Sequence, residues 1–252
     1  MSDHILEVTG LHKSFGALHA TDGVTLYVRR GETHALIGPN GAGKTTLIGQ
    51  LTGEINPDAG TIRFDGHDIT RLPTAARARL GLARSFQITS IFDTLSAEGN
   101  VALSVQATEP HSFRFWHPAA RIARLRQPAR RLLEEVGLGA ERGATAAEMS
   151  HGQHRQLELG MALATKPSLL LLDEPMAGLG TDESRAMSKL LASVKGQYSI
   201  LLIEHDMDVV FALADRISVL VSGRIIASGT ADEIRNHPDV RRAYLGDEDG
   251  ES

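Results

Sequence analysis

The chain has 252 residues, 42% of them hydrophobic, with a formal net charge of −5, few aromatics and no cysteine. That length allows one large domain or a domain with a subdomain, and the apolar fraction suffices for a full core. The lack of cysteine excludes a disulfide framework and thiolate metal sites, and the acidic balance offers no overall nucleic-acid surface. No apolar run approaches the roughly 18 residues that a membrane helix needs. The first ten residues hold acids and no long apolar stretch, so no signal peptide is expected. Arg121, Arg124, Arg126, Arg130 and Arg131 gather in one segment, which reads as a solvated helix face.

In chain order, strands are expected at Ile5–Val8 and Val24–Val28, bounded by Gly10, Gly23 and Gly31. His34–Ile37 reads as a short buried strand and Lys44–Leu51 as the helix that follows it. Thr61–Phe64 is a further strand before the Asp65-Gly66 turn, and residues 74–80 are helical. From about 92 to 150 strand signals vanish, which predicts an inserted helical subdomain within a single domain over 1–252. Its helices are Ala97–Ala107 and Ala119–Val136, the second with Ile122, Leu125, Leu132, Leu133 and Val136 on one face. Pro128 should kink or split that helix. Phe113, Phe115 and Trp116 lie between the two helices, flanked by Pro110 and Pro118. They read either as an interior plug or, with Gln87 and Phe92, as the border of a groove for a partner helix.

Beyond the insert, His151–Thr165 is helical, Leu169–Leu172 a buried strand, Asp182–Lys195 a helix and Ser199–Ile203 a strand. Met207–Ala214 is a short helix, and Ile217–Val221 with Arg224–Ser228 form a hairpin about Ser222-Gly223. Thr230–Asn236 and Asp239–Leu245 are short helices, and 246–252 is a polar, frayed tail.

The chemistry concentrates first in Gly38, Pro39, Asn40, Gly41, Ala42, Gly43, Lys44, Thr45 and Thr46, which fit G-x-x-x-x-G-K-[ST] between a strand and a helix. Glycine lets successive N–H groups wrap a phosphate, and the helix N-terminus adds positive partial charge there. Lys44 should reach the outer phosphates and the Thr45 hydroxyl should ligate Mg²⁺. Leu169–Leu172 runs into Asp173 and Glu174, placing two acids at the carboxyl end of a buried strand, where ligands sit in open α/β sheets. Asp173 fits a holder of Mg²⁺, usually through water, and Glu174 a group that positions or activates the attacking water. The plainer reading of Asp-Glu-Pro is a turn that ends a strand. His205, at a strand end, suits a hydrogen bond to a γ-phosphate and to that water, although a lone histidine also reads as a loop residue. Gln87, at the border of the helical insert, offers a neutral amide to Mg²⁺ or water.

The phosphate loop, Gln87, Ser150-His151-Gly152-Gln153, 169–174 and His205 occur in the order found in the ATP-binding cassette (ABC) ATPases, and the resemblance covers roughly residues 5–245. Met149 and Ser150–Gln153 resemble that family's Leu-Ser-Gly-Gly-Gln signature. The resemblance implies an α/β, P-loop NTPase core with a mostly parallel sheet, an antiparallel β-subdomain and an inserted helical subdomain. It implies ATP and Mg²⁺ as cofactors and ATP hydrolysis as the activity. It also implies that Ser150, Gly152 and Gln153 grip the γ-phosphate of a nucleotide on a second ATPase subunit, identical or not, in a head-to-tail pair. Phe15 matches the aromatic that stacks on adenine in the family, with a core phenylalanine as the plainer reading. Two positions depart from the common pattern: His151 replaces a signature glycine, and Gly180 stands where many members carry an aspartate.

A closer resemblance is to the branched-chain amino-acid uptake group, carried by Ser150–Gln153, Leu157–Gly160, Asp173–Leu179, Ile203–Met207 and Val240–Gly246. It implies a peripheral subunit at the cytoplasmic face of a membrane, working with transmembrane permease subunits and, through them, an extracytoplasmic solute-binding protein, with no nucleic acid as partner. Urea import, lipopolysaccharide export, a cytosolic cassette and a non-catalytic scaffold are the alternatives. The intact Lys44, Asp173, Glu174 and His205 argue against the last of these, and the lack of a sustained heptad run against a cytosolic cassette.

Overall fold

The structure is a computed structural model and describes residues 3–85, 91–108 and 118–245. Gln87, the aromatic trio Phe113, Phe115 and Trp116, and the tail 246–252 lie outside the described residues. In chain order the first elements are β1 (His4–Phe15), β2 (Leu18–Arg29), β3 (Thr33–Ile37), α1 (Lys44–Thr52), β4 (Ala59–Phe64), β5 (His67–Asp68) and α2 (Thr74–Arg79). Then come β6 (Leu82–Ser85), α3 (Ala97–Ala107), α4 (Pro118–Glu135), a 3-10 turn (Ala146–Glu148), α5 (His151–Ala164), β7 (Leu169–Asp173) and α6 (Thr181–Val194). The last are β8 (Ser199–Ile203), α7 (Met207–Leu213), β9 (Arg216–Val221), β10 (Arg224–Gly229), α8 (Ala231–Arg235) and α9 (Pro238–Leu245). The chain forms two compact units, residues 1–82 with 194–252, and residues 83–193.

The first unit carries an antiparallel sheet in the order β2-β1-β4-β5. Val24, Leu26 and Val28 of β2 are buried while Thr25, Tyr27 and Arg29 are exposed, the alternation of a strand with one wet face. β1 and β2 are each much longer than the glycine boundaries predict. Gly10 and Gly23 do not end them: at φ +56° and +73° they sit where the pairing register shifts, two residues facing one. Positive φ is what such a bulge requires, and glycine supplies it without a Cβ penalty.

In the same unit β3 lies between β8 and β9, parallel to both, and every residue of β3 is buried. A strand covered on both faces tends to read as an apolar run, and Ala35, Leu36 and Ile37 make this one visible in the sequence. β9 and β10 pair antiparallel about Ser222 (φ 47°) and Gly223 (φ 78°), the doubly positive backbone of a tight hairpin turn. Ala35, Ile37, Val210, Ile217, Val219, Ala227, Ile234 and Val240 close a core between these strands and helices α7 to α9. Arg77 on α2 is only 1% exposed. Its guanidinium donates to the carbonyls of Gln50 and Leu51 in α1 and of Thr70 and Leu72. Burial lowers its pKa to about 10, which leaves it cationic at neutral pH.

The second unit places β6 beside β7 and packs α3, α4 and α5 together. A Cβ added at Gly160 of α5 would lie 3.3 Å from Val136, so the small residue sets how closely α5 approaches the end of α4. Pro128, expected to kink or split the helix, lies inside α4 without splitting it. Arg126 and Arg130, expected as a solvated face, both pair with Glu98 of α3 at 3.2 and 3.0 Å. Asn100 of α3 is fully buried, accepts from the Phe92 N–H and donates to the Phe92 and Ser96 carbonyls, fixing the chain before α3.

A polar chain, buried from Glu32 to Ser218, ties β3 to its neighbours. His34 Nδ1 lies 3.0 Å from Glu32 Oε1, His34 Nε2 lies 2.9 Å from Ser218 Oγ, and Ser218 meets Ser228 at 2.9 Å. Burial opposes the charged form of Glu32, but the His34 ring and the Arg29 N–H outweigh it and hold the carboxyl below the usual glutamate range. A depressed native pKa contributes stability above the unfolded value and loses it as pH falls through the native one. Glu32→Gln should therefore cost about 1–3 kcal/mol at pH 7. The gap between parent and variant should narrow in urea titrations taken progressively below pH 4.5, the ordinary glutamate value.

Candidate functional site

β3 delivers the chain to Gly38 with its side chains locked in the core, and α1 begins at Lys44 with Gly43 as its N-cap. Gly43 adopts φ 105° and gives no side-chain cap, so no side chain of the cap covers the first N–H groups of α1. Two glycines are dictated by close backbone approach. A Cβ at Gly38 would lie 2.2 Å from the Leu220 carbonyl oxygen, and one at Gly43 would lie 2.1 Å from that of Ala20. The same neighbours strap the loop down. The Gly223 N–H donates to the Ala42 carbonyl at 2.8 Å, and the Asp22 N–H donates to the Gly223 carbonyl at 2.8 Å. The β9–β10 turn and β2 thus fix the path of residues 38–43. Lys44 Nζ donates to the carbonyls of Gly38 (2.6 Å) and Pro39 (3.1 Å), which holds the ammonium over the loop. Thr45 is exposed at the start of α1 and Thr46 is half-buried.

The same unit carries two more of the predicted side chains. Phe15 ends β1 with half its surface exposed, and Lys13 Nζ lies 5.5 Å from its ring centroid. A half-exposed residue at a strand end does not fit a core phenylalanine. His205 follows β8 with an exposed side chain, and its N–H donates to the buried Glu204 carboxylate at 3.1 Å. Asp206 then caps α7, accepting from the Asp208 and Val209 N–H groups.

In the second unit four buried leucines of β7 lead to Asp173 and Glu174, both half-buried. Arg84 of β6 donates to Asp173 Oδ2 at 3.0 Å. Both side chains of that pair are largely buried, so the guanidinium offsets the cost of placing a carboxylate there. Glu174 adopts φ 51°, a left-handed conformation that costs a non-glycine residue about 1 kcal/mol. The turn is closed by the Ala177 N–H on the Glu174 carbonyl. A turn does end the strand here, and it holds an acid in a strained pose.

Ser150 caps α5 in a full capping box: its Oγ accepts from the Gln153 N–H and the Gln153 side chain accepts from the Ser150 N–H. Gly152 offers its N–H on the same helical turn, and a Cβ there would meet the Glu183 carboxylate at 2.6 Å. The His151 ring packs over Gly178, where an added Cβ would lie 3.2 Å from Nε2. The residue that departs from the common signature is thus seated on the turn after Glu174. Arg84 and Glu183 are polar partners that sequence reading did not single out. Each reaches its site from a distant element, and no local pattern announces it.

Among the described residues no group of three or more His, Asp or Glu side chains is placed to hold a metal. Thr45 of the first unit offers a hydroxyl and Asp173 of the second a carboxylate, each an oxygen donor of the hard kind that Mg²⁺ takes. Also among the described residues, no helix is long and apolar enough to cross a membrane.

Comparison with known proteins places these features in context. Residues 21–177 match the ABC transporter family, and residues 224–250 match the branched-chain amino acid ATP-binding cassette transporter family. The chain is 40% identical to the high-affinity branched-chain amino acid transport ATP-binding protein BraF of Pseudomonas aeruginosa, over 98% of this chain and all of that one. It is 38% identical, at the same coverage, to LivG of Escherichia coli, which bears the same description. Among solved structures it resembles MJ1267, an ATP-binding cassette of an ABC transporter in its ADP conformation. That match has a TM-score of 0.85 and 30% identity over 97% of this chain and all of that one.

The close approach at Gly43 has a direct test. Gly41 has φ 78° and nothing within 4 Å of an added Cβ, so Gly41→Ala should cost only the backbone strain, about 1–2 kcal/mol. Gly43→Ala adds a collision with the Ala20 carbonyl and should cost about 3–5 kcal/mol in denaturant titrations. Equal losses in the two variants would show that the strap does not dictate the loop.

Proposed function

The chain belongs to the ABC transporter family of ATP-binding cassettes, and from that premise we propose that it binds and hydrolyses ATP to drive a branched-chain amino-acid importer. The observation that carries this reading is the strapped phosphate loop, whose glycines at 38 and 43 leave no room for a side chain and whose lysine lies over the backbone. The cargo rests on the C-terminal match at 224–250 and on the names of the full-length relatives.

In this reading the N–H groups of residues 40–46 cradle the phosphates, Lys44 neutralises the outer ones, and Phe15 stacks on the adenine. Thr45, Asp173 and Gln87 would hold Mg²⁺, directly or through water, and the ion would supply charge neutralisation at the outer phosphates. Glu174 positions the attacking water and His205 hydrogen-bonds the γ-phosphate. Ser150, Gly152 and Gln153 act on the nucleotide of a second ATPase subunit. Permease subunits anchor the pair at the cytoplasmic face of the membrane, and a solute-binding protein delivers cargo on the other side. ATP then favours the closed pair because only that state offers both sets of donors to one γ-phosphate.

Glu174→Gln keeps the shape and removes the carboxylate. Phosphate release should fall by about 100-fold or more, while equilibrium ATP binding persists and ATP-dependent dimers accumulate. Turnover close to the parent's would remove Glu174 from this role.

Phe92 bears on the permease contact. Its ring is 53% exposed, yet its backbone is held on both sides by buried Asn100, so the ring is presented to solvent on a fixed loop. Large exposed aromatics on rigid supports suit protein interfaces. Phe92→Ala should leave the melting temperature and basal ATPase of the isolated chain unchanged and weaken co-purification with the permease at least tenfold. A lowered melting temperature with undiminished association would assign Phe92 to packing.

A further inference from the structure

Glu183, in the first turn of α6, lies against the donors that the reading above assigns to a partner's phosphate. Its Oε1 accepts from the Gly152 N–H at 3.2 Å and from the Ser150 hydroxyl at 3.4 Å. Its Oε2 accepts from the Gly180 N–H at 3.2 Å. One carboxylate therefore bridges the N-termini of α5 and α6. Gly180 explains why it must. The residue ahead of α6 has no side chain to cap its own helix, so Glu183, three positions on, reaches back to the N–H as the acidic half of a capping box does. Nothing at Gly180 shares that task, and the second oxygen of the same group is directed at α5.

We infer that Glu183 is an internal competitor for the Ser150–Gly152 donors, and that a phosphate engages them only by displacing its carboxylate. The inference rests on the head-to-tail reading of the signature. The chemistry is that of two anions and one donor set. A carboxylate oxygen and a phosphate oxygen accept the same N–H and O–H groups at a helix N-terminus. Held together in one place they repel. A route for the displaced group exists: a cavity of about 250 Å³ opens beside the carboxylate, lined by Ser150, Gly152, Gln153, Gln156, Ala186 and Met187. Occupation by Glu183 thus lowers the fraction of chains competent to accept a partner's nucleotide, and the apparent affinity of the pair falls by that fraction.

The test uses the full chain carrying Glu174→Gln, alone and mixed with whichever ATPase subunit co-purifies with it, in sedimentation equilibrium with ATP and with ADP. Adding Glu183→Gln should tighten the ATP-dependent pair about tenfold or more and leave the ADP sample monomeric. Glu183→Asp, which keeps an acid near Gly180 but is one methylene too short to bridge to Gly152, should tighten it in the same direction. It carries the test if the glutamine variant fails to fold. A purely structural staple predicts the opposite pattern, with lower melting temperatures and pairs of unchanged or weaker affinity in both variants, and that result overturns the inference. If no ATP-dependent pair forms even with Glu183 intact or replaced, the head-to-tail reading fails and takes this inference with it. Pairs of equal strength across all three chains overturn the inference alone.

Discussion

The contact on which the glycine loop at 38–43 and the start of α1 depend is between backbones. Residues 38–43 run so close to β2 and to the β9–β10 turn that the carbonyls of Ala20 and Leu220 fill the space where side chains of residues 43 and 38 would be. Hydrogen bonds from Gly223 to Ala42 and from Asp22 to Gly223 complete the strap. A loop of glycines is entropically costly to order, since each has more backbone freedom to lose than any other residue. Here that cost is offset by elements already fixed by their own packing: β3 in the core, the hairpin turn with two positive φ values, and β2 in its sheet. The loop is rigid because it is wedged between them.

Much of this arrangement can be read along the chain, and the reason is locality. The phosphate loop, the capping box at Ser150 and the acids after four leucines are short motifs whose residues are neighbours in sequence. Helix α3 falls at Ala97–Ala107, the bounds expected of it, where Ser96 caps it and Glu98 sits in its first turn. The hairpin at Ser222-Gly223 is equally local. What escaped the sequence is everything that depends on a distant partner. Gly10 and Gly23 look like strand ends, since a glycine alone does not say whether it breaks a strand or bulges it. The short strands β5 and β6 have too few residues to show a period. Arg84, Glu183, Asn100 and Arg77 each look like an ordinary polar residue on a helix or strand, and only the fold reveals what each one holds.

A common logic links the polar partners. Lys44 lies on the Gly38 and Pro39 carbonyls, Asp173 on the Arg84 guanidinium, and the Ser150–Gly152 donors on the Glu183 carboxylate. Three groups with the chemistry to meet a nucleotide or its metal are each engaged by a residue of their own unit. Because these contacts already satisfy charge and hydrogen bonding, exchanging one for another changes the net free energy far less than the strength of either contact suggests. Modest ligand contacts can then bias the balance between states.

Arg77 bears on the field at the amino end of α1 from the helix's far end. A helix of nine residues is only about 14 Å long, so the negative partial charge of its carboxyl end would lie close enough to weaken the attraction its amino end exerts on an anion. The buried guanidinium sits on the Gln50 and Leu51 carbonyls at that end, within a region of low polarisability where its charge is poorly screened. It turns a short dipole into something nearer a single positive pole. A stub of helix can thereby present the field of a much longer one.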